Sequence, residues 1–411
     1  MKIMHMADLH FGKNLYDLSL CTEGDQAHMA EELIRIAREE KPDLIVIAGD
    51  FFDRRSPSPE ARVLAGDFLT ELCAEKIPVA LIAGNHDSGE NIEYLQSLLR
   101  RSGLYVAGVI SEKLETLSFE DAWGEVRIYL LPYFFPASVN AVLRQENATY
   151  TEAAAALIAG QHIDTGVRNV LVAHQTVISG GERPHRGGSE TVVGGVGLID
   201  ASAFAGFDYV ALGHIHRPQC MGSESIRYAG SPMCYHFDEA GAADGSGGNR
   251  GALIVELEEK GKLQVRMRTI TPLHPLRTLR GTLEETEKAC AELGRREYVR
   301  FQLTDATLPP DVMERLQARL NDRENVLVCM ERVRNYQPGD LGMEGPVSED
   351  RSMESLFLEY WKQQNQDELP SEEAQALIRF AGSWVEEHPE LDADVLAQQI
   401  LTYIRGGEAG A

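Results

Sequence analysis

The sequence predicts an α/β protein with two layered β-sheets flanked by helices, followed by a small α/β domain and C-terminal helices. Three observations carry this. Over roughly the first 270 residues, short apolar β-rich runs alternate with helical patterns. From about Pro275 the pattern changes to a compact strand, helix, strand, helix, strand unit. Beyond a Pro-, Gly- and acid-rich stretch, apolar residues recur at helical spacing.

In the first region, TEGDQAHMAEELIRIAREEK reads as a helix with Met29, Leu33, Ile36 and Ala37 on one side, and DLIVIAGD as the buried strand after it. A second helix is expected over about Pro59 to Glu75, ahead of the strand IPVALIAG. GEVRIYLLPY, SIRYAGSP and the pair GALIVELEE and KLQVRMRTI are expected to form a second sheet packed on the first. The Gly-rich loops GGERPHRGGSETVVGGVG and AGAADGSGGNRG lack the GK[ST] ending of a phosphate-cradling loop, so an ATP site in this chain is not expected.

The expected boundaries are residues 1–272 for the two-sheet domain, 273–335 for the small domain, 336–350 for a linker and 351–411 for helices. The small domain is read from LRTLRGT, LEETEKACAEL, EYVRFQLT, PPDVMERLQARL and ENVLVCMERV. In the tail, Met353, Leu356, Phe357, Tyr360 and Trp361 form one stripe. A second helix, N-capped by Ser371, aligns Ala374, Leu377, Ile378, Ala381, Trp384 and Val385. Two such helices after a linker bury their stripes poorly against each other, which favours docking on a partner protein.

Composition sets bounds. At 411 residues and 43% hydrophobic content, more than one core is expected. No stretch reaches the roughly 18 unbroken apolar residues of a membrane span, and the N-terminus enters a strand with no leader pattern, so a cytoplasmic protein without membrane attachment is expected. Six scattered cysteines without CxxC pairing read as reduced thiols. The net charge of −25 runs against a basic nucleic-acid-binding face, but it is unevenly spread: Gln337–Ala411 holds 16 acidic and 4 basic residues, net −12. An acidic tail suits a basic protein partner rather than DNA.

The chemistry lies at strand ends. IMHMADLH ends in Asp8 and His10, LIVIAGDFFD in Asp50 and Asp53, LIAGNHDS in Asn85 and His86, VLVAHQ in His174, and YVALGHIH in His214 and His216. Each alone is ordinary turn chemistry or a satisfied core residue. Five in order, all at carboxyl ends where α/β sheets collect ligands, point to a site.

Asp8, His10, Asp50, Asn85, His174, His214 and His216 offer oxygen and imidazole donors without a thiolate, and seven are too many for one tetrahedral ion. Two divalent ions fit better, with Asp50 as the bridging carboxylate. Two ions bring +4 against −2 from Asp8 and Asp50, leaving a site that attracts phosphate and acidifies a water. His86 is then free to donate to a phosphoryl oxygen or the departing alkoxide, with Asp53 as its orienting acceptor. His5, His28, His162, His185 and His236 lack this placement and read as structural or surface residues.

The ordered set DLH, GDFFD, GNHD, VLVAH and GHIH resembles the calcineurin-like metallophosphoesterase superfamily over roughly residues 1–270. GDFFDRRSPSPEA, AHQTVISGGE, VGGVGLID and YAGSPMCYHFDE, with the small domain and helical tail, resemble the nuclease-subunit branch of the bacterial SbcCD type. The resemblance implies a two-layer sheet sandwich with a capping domain over a DNA groove. It implies C-terminal helices that bind the SbcC ATPase, and a homodimer within a heterotetramer.

By motif, one ion would fall to Asp8, His10, Asp50 and His216, the other to Asp50, Asn85, His174 and His214. The implied activity is manganese-dependent and ATP-gated: exonuclease action on duplex ends and endonuclease action on hairpins and single strands, in DNA repair, recombination and replication. A phosphatase or small-molecule phosphodiesterase on the same scaffold is the alternative, and a catalytically silent scaffold a third reading. Because phosphate neutralisation dominates DNA affinity, the acidity of this chain leads to the expectation that SbcC supplies much of the basic surface.

Overall fold

A computed structural model describes residues 1–185, 197–240, 248–333, 371, 374–375 and 377–381. Residues Met1–Glu190 and Gly197–Tyr336 form one compact unit. Its centre is a pair of six-stranded sheets. In the first, Lys2–Met6, Leu44–Ala48, Val79–Ile82 and Leu104–Ala107 run parallel, with Gly251–Leu257 and Leu263–Thr269 added antiparallel beside Lys2–Met6. In the second, Gly124–Leu131, Arg168–His174, Tyr209–Gly213 and Ser223–Tyr228 run parallel between antiparallel edges. The expectation that GALIVELEE and KLQVRMRTI belong to the second sheet is therefore corrected. Their pattern specifies a hairpin, but both sheets are apolar enough to accept it.

Side-chain alternation explains the layering. Ile3 and Ala7 pack with Val46, Ala48, Val170, Val172 and Ala211 in the core between the sheets. Met4, Met6, Ile45 and Ile47 face the other way, onto Leu33 and Ile36 of the helix Asp25–Glu40 and Phe68 and Leu72 of Pro59–Ala74. On the outer face of the second sheet, Leu171, Ala173, Val210 and Leu212 pack on Ala153 and Leu157 of the helix Tyr150–Ala159. Helices outside and sheets inside are the layers expected from the sequence, with Ser58 and Thr149 capping two of the helices.

A polar pair is set into the inter-sheet core. His5 sits fully buried with Nδ1 2.9 Å from the Tyr209 hydroxyl, and burial pushes its pKa down to about 3, so the ring is neutral.

After the two sheets the chain shows the expected order of strand, helix, strand, helix, strand: parallel strands Leu276–Gly281, Tyr298–Leu303 and Val326–Arg332, with helices Leu283–Ala289 and Val312–Leu320 and an apolar cluster of its own. This segment belongs to the same compact unit and is tied in by polar contacts. Tyr298 donates to Asp25 at 2.8 Å, His274 Nδ1 lies 2.9 Å from the same carboxylate, and Arg300 pairs with Asp238 at 2.6 Å over the Phe237 ring.

In the tail, Ser371 Oγ accepts the Ala374 N–H at 3.2 Å, as an N-cap does. The linker 336–350, the stripe Met353–Trp361, and Trp384 and Val385 lie outside the described residues. Among the described residues no helix is long and apolar enough to cross a membrane.

Candidate metal centre

The expected ligand residues converge at the carboxyl ends of both sheets. Asp8, His10, Asp50 and Asn85 follow Lys2–Met6, Leu44–Ala48 and Val79–Ile82 of the first sheet, while His174, His214 and His216 end or follow Arg168–His174 and Tyr209–Gly213 of the second. Donor atoms group as Asp8, His10 and His216, as Asp50, His174 and His214, and as His10, Asp50 and His86, all within 4.8 Å inside each group. The chain bends sharply to achieve this. Asp8 (φ 55°), His10 (44°), Asp50 (50°) and His214 (94°) adopt left-handed backbone that non-glycine residues rarely use, and such strain clusters at functional sites. Gly49 (φ 87°) and Gly84 admit the close approach: a Cβ would collide with the His174 ring at the first and the Asp50 carboxylate at the second.

Hydrogen bonds fix which atoms face inward. His174 Nδ1 donates to the Ala48 carbonyl at 2.7 Å, leaving Nε2 3.2 Å from both Asn85 Oδ1 and Asp50 Oδ2. Asn85 Oδ1 also lies 2.9 Å from His214 Nδ1. His216 Nδ1 is held by Glu239 at 3.1 Å, so its Nε2 meets His10 Nε2 at 3.1 Å. Asp50 Oδ2 stands between the two groups, 3.6 Å from His10 Nε2 and 3.2 Å from His174 Nε2. Asp8 Oδ1 accepts the His214 N–H at 2.8 Å, and its Oδ2 is buried with no hydrogen-bond partner among the described residues.

These observations test the fit to metal. In the metal-free protein ring protons bridge these oxygen and nitrogen pairs at about 3 Å; an ion takes their place, since ligands must shed their protons, and the spacing suits donors sharing an ion with bonds of roughly 2.0–2.2 Å. The orphaned Asp8 oxygen is a buried acceptor without a donor, which a cation satisfies. The residues fit divalent ions.

Residues 1–218, more than half the chain, match the family model for calcineurin-like phosphoesterases. The chain belongs to the calcineurin-like phosphoesterase family. Residues 272–365 of this phosphoesterase match a second model, the type 5 capsule protein repressor C-terminal domain. A Staphylococcus epidermidis protein, named as the D component of nuclease SbcCD, is 28% identical over 389 residues, covering 92% of this chain and 98% of the relative. A Staphylococcus saprophyticus protein of the same name is 31% identical over 329 residues, covering 77% of this chain and 82% of the relative. Among solved structures, a dimetal phosphatase from Danio rerio aligns with a TM-score of 0.38 at 14% identity, over 66% of this chain and 98% of that one.

Electrostatics in the phosphoesterase site follow from burial. Burial lowers His10 to about 4 and His214 to about 3, keeping both neutral as ligands must be. Burial raises Asp8 to about 6. His174 is lowered by burial, but Asp50 and Asp8 more than offset this and lift it to about 9. Asp50 is raised by burial and brought well below the usual carboxylate range by His174, His86 and His10.

His86 is half-buried beside these groups, its ring edge-on to His10 with centroids 4.8 Å apart. Its Nδ1 donates to Asp53 at 2.9 Å, but to the backbone carbonyl. Asp53, expected as the acceptor that orients His86, accepts through its main chain, while its carboxylate faces Lys13 Nζ at 2.7 Å and His10 Nδ1 at 3.5 Å. The right residue acts through a different atom.

Sequence reasoning missed the residues that stand behind the ligands. Buried Glu239 holds His216, accepts the Tyr235 N–H at 2.9 Å, and lies 3.5 Å from Arg250. Asp87 accepts backbone N–H groups of Phe51, Phe52 and Gly84 at 3.1, 2.8 and 2.9 Å, locking the loops that carry Asp50 and Asn85. Gln26 donates to the His10 carbonyl at 2.6 Å. Asp87 was within view in GNHD, whereas nothing local marks Glu239 as a partner of His216.

Proposed function

We propose that this chain is the two-metal nuclease subunit of an SbcCD-type complex, hydrolysing DNA phosphodiesters at ends, hairpins and single strands in repair, recombination and replication. The observation that carries the reading is the convergence of seven oxygen and imidazole donors on one strand-end cleft, with His86 beside them. One ion would be held by Asp8, His10, Asp50 and His216, the other by Asp50, Asn85, His174 and His214; these oxygen and imidazole donors suit manganese, iron or zinc, and the likeness to SbcCD nuclease subunits favours Mn2+. When bound, two such ions supply Lewis acidity to the phosphate and a water acidic enough to attack near neutral pH.

The remaining work falls to the chain itself. The Asp53 carbonyl holds the His86 Nδ1 proton, so Nε2 can deliver a proton to a phosphoryl oxygen or the departing alkoxide only when the ring enters the step as imidazolium, carrying a second proton on Nε2, and leaves it neutral. Asp87 and Gln26 keep the ligand loops in place, so the cleft is preformed for substrate. The match to nuclease subunits over most of the chain supports the C-terminal helices as the SbcC-binding segment, residues 273–335 as the DNA-facing cap, and ATP gating through SbcC. Exposed Tyr94, Leu95 and Leu98 support a homodimer surface within a heterotetramer.

The test is to incubate the purified chain with a hairpin-ended duplex and with bis-p-nitrophenyl phosphate. Mn2+, Mg2+ or chelator is added, with and without SbcC and ATP. Mn2+-dependent DNA cleavage stimulated by SbcC and ATP is expected. Turnover of the small diester with no DNA cleavage under any condition would move the protein to the phosphatase reading.

A further inference from the structure

Beside the ligand cluster lies a cavity of about 290 Å³ that the chemistry above leaves without a role. Asn85 lines it, so it opens off the half of the site formed by Asn85, His174 and His214. One wall is aromatic. Tyr133 and Phe135 meet edge to face with centroids 5.2 Å apart and planes at 89°, and the Tyr133 ring lies 6.4 Å from that of His214, tilted by 30°. Ser138 and Val142, from the helix Pro136–Leu143, extend that wall. Gly89 and Gly108 also line the space, and a Cβ on either would strike the other's carbonyl.

Size and charge decide what fits. The volume is at the lower edge of small-ligand pockets, about 300–1,000 Å³, which suits one heteroaromatic group and excludes a duplex. Arg55 is balanced by Glu90 and Asp87 in the lining, so the cavity is a poor phosphate site, unlike the ion side of the cleft. An aromatic wall beside a phosphate-reacting centre offers what a base requires: a ring face for stacking, whatever the base identity.

We propose that this cavity receives the nucleobase of the nucleotide adjoining the scissile phosphate, unpaired and stacked against Tyr133. The inference rests on the nuclease reading and deepens it. A base can enter only after leaving its stack, which costs a few kcal/mol in a duplex and least in single strands, frayed ends and hairpin tips. The cavity thereby selects where the metal site can cut.

The test uses the full chain with Mn2+, with and without SbcC and ATP, on single-stranded oligonucleotides carrying one abasic residue moved stepwise along the strand. Cleavage of the bond adjoining the abasic residue is expected to fall about tenfold, the scale of one lost base–aromatic stack. Ser138→Trp, which fills the cavity from its helix, is expected to lower cleavage of intact DNA to the same extent and to add no further loss at the bond adjoining the abasic residue. Tyr133→Phe should keep the cleavage that Tyr133→Ala loses. Uniform cleavage along the abasic series, or equal fold losses on intact and abasic strands in Ser138→Trp, would overturn the proposal. Hydrolysis of the small diester with no cleavage of any oligonucleotide would instead overturn the nuclease reading, and this inference with it.

Discussion

Glu239 grips the outer nitrogen of His216: its Oε1 lies 3.1 Å from Nδ1, and both residues are buried. A carboxylate in this position fixes the tautomer that points Nε2 at the site and raises its basicity. Glu239→Gln is expected to weaken divalent-metal affinity by about 10–100-fold with the fold retained. Calorimetric titration of the metal-free protein with Mn2+ measures it. Unchanged affinity would show that the Glu239 contact does not tune His216 as a metal ligand.

His86 shares the cleft but has its own anchor in the Asp53 carbonyl. His86→Gln is expected to lower phosphodiester turnover by about 10²–10⁴-fold, the range for a lost general acid, with bound metal unchanged. Parallel turnover assays and elemental analysis separate the two effects. Loss of an ion in the variant would make His86 a ligand.

Asp87 accepts three backbone N–H groups from two loops. Asp87→Ala strands these donors and is expected to cost about 3 kcal/mol or more, at about 1–3 kcal/mol for each buried unsatisfied group. Urea denaturation with metal present and with chelator reads both the fold and its coupling to the site. A variant as stable as the parent in both would mean that water replaces the carboxylate.

His5 links stability to pH. Its folded value is pushed down to about 3 by burial, with Arg227 adding in the same direction, against an ordinary value of 6.5. The unfolded chain therefore binds a proton that the folded chain refuses. The stabilisation is fully present above about pH 6.5 and is lost as the pH falls toward 3, at up to about 1.4 kcal/mol per pH unit. In His5→Gln the slope of unfolding free energy between pH 6.5 and 5 should be shallower than in the parent. Equal slopes would place the titration elsewhere.

The convergence of the strand-end residues was legible because each strand announces its end with a residue type that a bare turn does not need, and because the strands themselves are unambiguous apolar runs. The small domain was legible for the same reason: its helices and strands alternate with sharp caps such as Thr282. What stayed hidden is long-range or carried by the backbone. Glu239 lies 23 residues beyond His216 on a short 3-10 turn, where no periodicity points to a partner. Asp53 was legible as an acceptor for His86, but residue type carries no information about which of its oxygens accepts, and it is the backbone carbonyl that does. The Gly251–Leu257 hairpin joined the first sheet because pairing beside Lys2–Met6 is set by topology, which its own pattern does not record.

Four donor residues come from one sheet and three from the other, and apart from them the two layers are held mainly by apolar contact. Any ion that takes donors from both sets is thus a rivet through the sandwich. Sliding one layer past the other would have to tear coordinate bonds, so a loaded molecule should yield to mechanical pulling later and more abruptly than an empty one. A partner that shears the layers by even a fraction of an ångström would, by the same linkage, loosen the ions.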